Sequence, residues 1–188
     1  MRIVGGSAKG RVLETPKSDD VTRPTADRVR ETLFNVLGQR CDDLEVLDLF
    51  AGTGALGLEA VSRGATKAVL VDRGREPVQL CRNNVKALKF DDRVEVLAAD
   101  VFAAIESLGK SGRTFQLVFS DPPYALNAGT RVLEALLAAK LVTDGGIAVI
   151  ETGRDETLAE RVGDFERIDE RTYGATVVSI FRLTHRDA

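Results

Sequence analysis

Glu45-Val46-Leu47-Asp48-Leu49-Phe50-Ala51-Gly52-Thr53-Gly54-Ala55-Leu56-Gly57 runs a short apolar segment into a glycine-rich turn and on into a helical pattern. A nearly continuous apolar run of this kind suits a parallel strand covered on both faces. Gly52, Gly54 and Gly57 let the chain turn tightly and come close to a ligand before the helix begins. Alone, G-x-G-x-x-G is common to dinucleotide dehydrogenases and methyltransferases, and a tight turn without a ligand would look the same.

Downstream, the alternation continues. Strands are expected at Glu45–Phe50, Ala68–Asp72, Val94–Ala98, Leu117–Ser120, Ile147–Glu151, Phe165–Arg171 and Val177–Leu183. Helical patterns lie near 56–63, 75–88, 101–108 and 129–140, with a shorter one near 155–162. Strand alternating with helix means a doubly wound α/β sheet. The link from Thr172 to Thr176 is short and contains Gly174, which favours a hairpin and a final strand antiparallel to the rest.

Upstream, Arg2–Gly5 and Arg11–Glu14 read as two short strands around the turn Gly6-Ser7-Ala8-Lys9-Gly10. A polar stretch from Thr15 to Thr25 holds Pro16 and Pro24. Thr25 is placed to cap a helix starting at Ala26, with Ala26, Val29, Leu33, Val36 and Leu37 at helical spacing and Gly38 at its end. Residues 1–40 are too few for a core of their own. They should form a hairpin-and-helix extension packed on a domain of residues 41–188.

With 188 residues, 44% hydrophobic and 29% charged, the chain has the make-up of one ordinary globular domain. No apolar run nears the roughly 18 residues of a membrane span, and Met1-Arg2-Ile3-Val4-Gly5-Gly6 is no signal peptide. Cys41, Cys81 and a single histidine, His185, exclude a disulfide framework and a His/Cys zinc site, and point to a reduced cytoplasm. No metal is expected. The net charge of −3 is uneven: residues 1–30 hold seven Lys/Arg against four Asp/Glu, so the rest carries −6. A basic arm on an acidic body is a docking surface for a polyanion, or else a solvated hairpin.

Acids at three strand ends speak about the ligand. Asp48 lies near the end of the first strand, Asp72 follows it by twenty-four positions, and Asp100-Val101 follows the third. Asp72 suits the two hydroxyls of a ribose. A pyrophosphate would be repelled by Asp48, whereas a zwitterionic amino-acid tail with a sulfonium would be welcome. S-adenosylmethionine therefore fits better than NAD.

The fourth strand ends in Ser120-Asp121-Pro122-Pro123-Tyr124. Two prolines stiffen the chain and remove two donors, leaving carbonyls as acceptors. Asp121 and the Pro122 carbonyl can accept both hydrogens of an exocyclic amine while the heterocycle stacks on Tyr124. Accepting both favours a pyramidal nitrogen with its lone pair aimed at the sulfonium methyl, so catalysis rests on positioning and electrostatics.

With these motifs the chain resembles the RsmD family of class I methyltransferases. The resemblance rests on Gly5-Gly6-Ser7-Ala8-Lys9-Gly10-Arg11, on Thr22-Arg23-Pro24-Thr25-Ala26-Asp27-Arg28-Val29-Arg30-Glu31-Thr32-Leu33-Phe34-Asn35, on Leu47 through Gly54, on Asp121-Pro122-Pro123-Tyr124 and on Tyr173-Gly174. It implies a Rossmann-like, seven-stranded sheet, S-adenosylmethionine as donor, and N2 of a guanine in the 16S ribosomal RNA of small-subunit particles as acceptor. It also implies a cytoplasmic monomer. Carried over, Asp48, Phe50, Gly52, Thr53, Gly54 and Gly57 would hold the methionine portion, Asp72 the ribose, and Asp100 with Val101 the adenine. Asp121, Pro122 and Tyr124 would hold the guanine; family members often have Phe where this chain has Tyr124, and either ring stacks. RNA contact would fall to Arg2, Lys9, Arg11, Arg23, Arg28 and Arg30, with Thr25 near the pocket, and should weaken as salt rises.

Three other readings compete. Asp-Pro-Pro-Tyr also suits adenine N6 in DNA, although no separate target-recognition domain is visible. The glycines and Asp72 allow a NAD-dependent dehydrogenase, but no catalytic His or Tyr-x-x-x-Lys pair follows. A non-catalytic RNA-binding assembly factor could keep the fold without the chemistry.

Overall fold

A computed structural model describes residues 1–17 and 24–184; Arg23 and His185, and the side chain of Thr25, lie outside the described residues. The chain divides into two units, Met1–Ala99 and Asp100–Ala188.

In the first unit, β1 (Glu45–Leu49), β2 (Lys67–Asp72) and β3 (Val94–Ala98) run parallel in the order β3-β2-β1. Val46 pairs with Ala68, and Val69 with Glu95. Val46, Leu47, Leu49 and Leu70 are wholly buried, as strands covered on both faces require. The helices are α1 (Pro24–Val36), α2 (Ala55–Ser62) and α3 (Arg75–Leu88). Gly38 takes φ +93 just beyond α1, the left-handed exit glycine accepts most readily. The helix opens on Pro24, so Thr25 lies inside it rather than capping it. Proline in the first turn loses a donor that would have no helical partner anyway. The two expected N-terminal strands reduce to one bridge, Arg2 opposite Val12, flanked by Ile3 N–H to the Arg11 carbonyl at 3.0 Å and Leu13 N–H to the Met1 carbonyl at 3.1 Å.

The second unit holds α4 (Val101–Lys110), β4 (Phe115–Ser120), a 3-10 turn (Tyr124–Leu126), α5 (Gly129–Ala138), β5 (Val142–Gly153), β6 (Arg161–Val162), β7 (Phe165–Tyr173) and β8 (Thr176–Leu183). Its strand order is β4-β5-β8-β7-β6. β4 and β5 are parallel; β5 with β8, β8 with β7, and β7 with β6 are antiparallel. The expected hairpin is present, closing at Tyr173 opposite Thr176 with Gly174 at φ +58.

The fold is thus α/β and Rossmann-like with mixed strand pairing, but it has eight strands among the described residues, not seven. The extra strand, β6, stands where a helix was expected near 155–162. Within 155–162 only Leu158 and Val162 are buried apolar positions, barely one turn's worth, and a turn that short does not nucleate. Gly163, at φ +55, instead folds the chain back so that Val162 pairs with Phe165.

Candidate active site

β1 delivers its last residues into a turn built on left-handed backbone. Phe50 (φ +57), Gly52 (φ +59) and Gly54 (φ +79) all sit at positive φ. Gly57 is needed for a different reason: a Cβ there would fall 2.3 Å from Leu70 Cδ2, so its absence lets α2 press onto the strands. Asp48 is 2% exposed, and its Oδ2 accepts the Gly57 N–H at 2.9 Å, tying strand end to helix start. Asp72 spans the mouth of the turn, accepting Gly52 N–H at 3.0 Å on one oxygen and Gly74 N–H at 2.9 Å on the other.

A Cβ built on Gly52 would meet nothing within 4 Å, which leaves an open approach to bare backbone. Each Asp72 oxygen keeps a second lone-pair direction for a ligand hydroxyl. Behind the turn, Cys81 donates its thiol to the Gly52 carbonyl at 3.3 Å. Burial, then the charges of Asp48 and Asp72, push that thiol up to about 12, so it supplies no thiolate. The donor set is acceptor-rich and negative, which fits a sulfonium and a ribose and disfavours a pyrophosphate.

The N-terminal arm is stitched to α2 by residues that sequence reading passed over. Glu59 is wholly buried and accepts Val4 N–H at 2.9 Å and Gly5 N–H at 2.8 Å. It also pairs with Arg30 at 3.2 Å and Arg63 at 2.8 Å. Ser62 accepts Ala8 N–H on its hydroxyl and Ser7 N–H on its carbonyl, at 2.9 Å and 2.7 Å. Gly6 (φ +74) lies so close that a Cβ would fall 1.8 Å from the Ser62 oxygen. Asn84 links the arm to the glycine turn, accepting Glu14 N–H at 2.7 Å and donating to the Glu14 and Thr53 carbonyls at 3.0 Å each. The available signal was a carboxylate and an amide set among apolar helical neighbours, Leu58-Glu59-Ala60-Val61 and Asn84-Val85.

Among the arm's cations, Arg2, Lys9, Arg11 and Arg28 are exposed, and Arg11 donates to the Ala87 carbonyl at 2.6 Å. Arg30 differs. It is 5% exposed, paired with Glu59 and Asp27 and donating to the Arg2 carbonyl, so its charge is spent inside the arm rather than offered to a phosphate.

In the second unit, Asp100 caps α4, its Oδ1 accepting Phe102 N–H at 3.0 Å and Ala103 N–H at 3.2 Å; Val101 behind it is 3% exposed. Asp121 and Pro122 follow β4 directly, and Tyr124 opens the 3-10 turn with 41% of its surface exposed. Its ring lies against Gly153, where a Cβ would approach ring atoms to 3.3 Å. The Tyr124 hydroxyl donates to Glu151 Oε1 at 3.1 Å and bonds Thr176 Oγ1. Surrounding protein atoms, then the charge of Glu151, push the Asp121 carboxyl up to about 7. Asp121 also keeps exposed surface, so water moderates the shift, but its upward direction follows from facing a second carboxylate. Glu151 was within an expected strand and received no role there, although an acid at a strand's carboxyl end is the signal that marked Asp48, Asp72 and Asp100.

A family model described as Conserved hypothetical protein 95 matches residues 1–182. The chain belongs to this family. Like other class I S-adenosylmethionine-dependent methyltransferases, this member of the Conserved hypothetical protein 95 family is an enzyme, and it is related to ribosomal RNA small subunit methyltransferase D. It is 34% identical to Ribosomal RNA small subunit methyltransferase D of Escherichia coli over 188 residues, covering 100% of this chain and 91% of that one. It is 36% identical to YlbH of Bacillus subtilis over 182 residues, 97% of this chain and 98% of that one. The solved structure of YhhF from Escherichia coli matches with a TM-score of 0.86 at 31% identity, across 99% of each chain. No described helix is long and apolar enough to cross a membrane, and the described residues contain no cluster of metal-ligating side chains.

Proposed function

We propose that the chain transfers a methyl group from S-adenosylmethionine to the exocyclic N2 of a guanine in 16S ribosomal RNA, the family reaction being at guanine 966. Its setting is the cytoplasm, as a monomer acting on small-subunit particles. The observation that carries this reading is the end of β4: an accessible carboxylate, two prolines, and a half-exposed ring fixed by its hydroxyl and by Gly153. That is a stacking platform with amine acceptors beside it.

S-adenosylmethionine supplies an activated methyl on a sulfonium. Asp48 shapes the glycine turn around Phe50, Gly52, Thr53 and Gly54, and Asp72 offers acceptors for the ribose. Asp100 and Val101 serve the adenine. Asp121 and the Pro122 carbonyl accept the two amine hydrogens, and Tyr124 stacks on the base. Residues 1–40 act as the docking arm, with Arg2, Lys9, Arg11, Arg23 and Arg28 against phosphate, Thr25 near the pocket, and Arg30 holding the arm in shape.

The test is tritiated methyl transfer to under-methylated small-subunit particles, naked 16S RNA and duplex DNA, followed by nucleoside analysis. N2-methylguanosine from the RNA substrates is expected. N6-methyladenine from DNA alone would overturn the reading. Asp121→Ala should abolish transfer and leave S-adenosylmethionine affinity nearly unchanged, and wild-type turnover in that variant would remove Asp121 from the mechanism.

A further inference from the structure

We propose that Glu151 is a positioning residue for Asp121, holding a fixed negative charge beside it so that Asp121 takes the proton released by the methylated amine. This rests on the proposed amine methylation. β4 and β5 are parallel with Ser120 opposite Ile150, so the next position along each strand sets Asp121 beside Glu151. Neighbouring strands lie about one spacing (~4.8 Å) apart, so the two residues start from adjacent backbone positions, close enough for the Glu151 charge to push Asp121 up.

The two carboxyls are not equivalent. Burial pushes the Glu151 carboxyl up, and the hydroxyls of Tyr124 from the 3-10 turn and Thr176 from β8 draw it back toward its ionised form. Asp121 has no such donor among the described residues. The cation nearest in sequence, Arg154, turns its Nε to the Gly174 carbonyl. Negative charge therefore settles on Glu151, and its repulsion makes Asp121 the more basic of the pair. A base whose affinity for protons lies near working pH combines the right starting state with driving force for proton uptake.

Transfer forms a nitrogen–carbon bond and breaks the sulfur–carbon bond, whose electron pair stays on sulfur. The nitrogen becomes cationic and gives one proton to the Asp121 carboxylate, which becomes a carboxylic acid. Glu151 remains ionised throughout, and through Tyr124 the same contact fixes the ring on which the base rests.

The experiment is a 13C-carboxyl NMR titration of the full chain without ligands, with Asp121→Asn to assign the signal. In the wild type, Asp121 should titrate near neutrality, and in Glu151→Gln its midpoint should fall by about one to three pH units. Glu151→Asp, which keeps the charge, should restore most of the shift. The acid limb of the kcat–pH profile should move to lower pH in Glu151→Gln by the same amount. An Asp121 midpoint unchanged by Glu151→Gln overturns the proposal. Should that variant fail to fold, Thr176→Val removes a hydroxyl from the Tyr124–Glu151 cluster and should raise the Glu151 midpoint, with no movement counting against the proposal. The titration needs neither cofactor nor RNA, so absence of RNA methylation would sink the proposed function and leave this result separately readable.

Discussion

At the scale of single residues, Tyr124 is held through both its ring and its hydroxyl. The ring rests on Gly153, the hydroxyl is held by Glu151 and Thr176, and 41% of the residue's surface stays open to a base. Tyr124→Ala should weaken base engagement by about 1–3 kcal/mol, measured as RNA affinity. Tyr124→Phe keeps the stack but loses the tether, so affinity should change far less while kcat falls as the ring loosens. Equal affinity in all three proteins would make the ring structural. In the proposed reaction Asp121 also sets a pH dependence: the amine needs an acceptor, the carboxylate accepts only when ionised, and so activity should rise with pH through about 7. A rate flat from pH 5.5 to 8.5 (an interval around neutrality, about three units) would contradict that assignment. Motif residues such as Asp121 and Gly52 were legible in the sequence because neighbouring residues mark them. Glu151 and Thr176 were not, since they meet Tyr124 only once β5 and β8 pair across the sheet, Glu151 opposite Val178.

At the scale of elements, α2 is both the helix after the glycine turn and the seat of the arm. Glu59 serves two backbone N–H groups and two guanidiniums from a position with no solvent access. Glu59→Ala strands both arginines and both amides, so a loss of about 3–5 kcal/mol is expected, measured by urea unfolding. The arm should then become protease-sensitive before the core does. A loss within experimental error would mean the arm is held elsewhere. β1, β2, β4, β5, β8 and α2 to α5 were legible because each buries an apolar run or stripe whose period marks it as strand or helix. β3 and β7, with one buried position each at Val94 and Phe165, were placed by the alternation around them and the hairpin link at Gly174. The failures share a cause: where local pattern is thin, partners decide. The 155–162 segment had one turn of apolar spacing, and its last two residues, Arg161 and Val162, went to β7 as β6. The arm's strands have one bridge: Ile3 and Leu13 pair across the hairpin, but beyond them the Val4 and Gly5 amides turn to Glu59 and the Ala8 amide to Ser62.

At the scale of the whole molecule, the proposed reaction asks an acidic protein to bind a polyanion, and the uneven placement of charge answers that conflict. Net charge is −3, yet Arg2, Lys9, Arg11 and Arg28 are exposed on one pinned arm. Burying Arg30 against Glu59 and Asp27 keeps the arm's shape without adding to its outward charge. Charge alone predicted one role for all of these cations, and burial separates them. Phosphate contacts release counterions, so each one lost should lower the slope of log affinity against log salt by about one. Lys9→Ala and Arg28→Ala should each do so and leave urea stability unchanged. Arg30→Ala should do the reverse: it leaves Glu59 short of a partner and lowers stability, while the salt slope measured on the folded fraction stays close to wild type. A full unit lost from the slope in Arg30→Ala, at wild-type stability, would return that guanidinium to the RNA face.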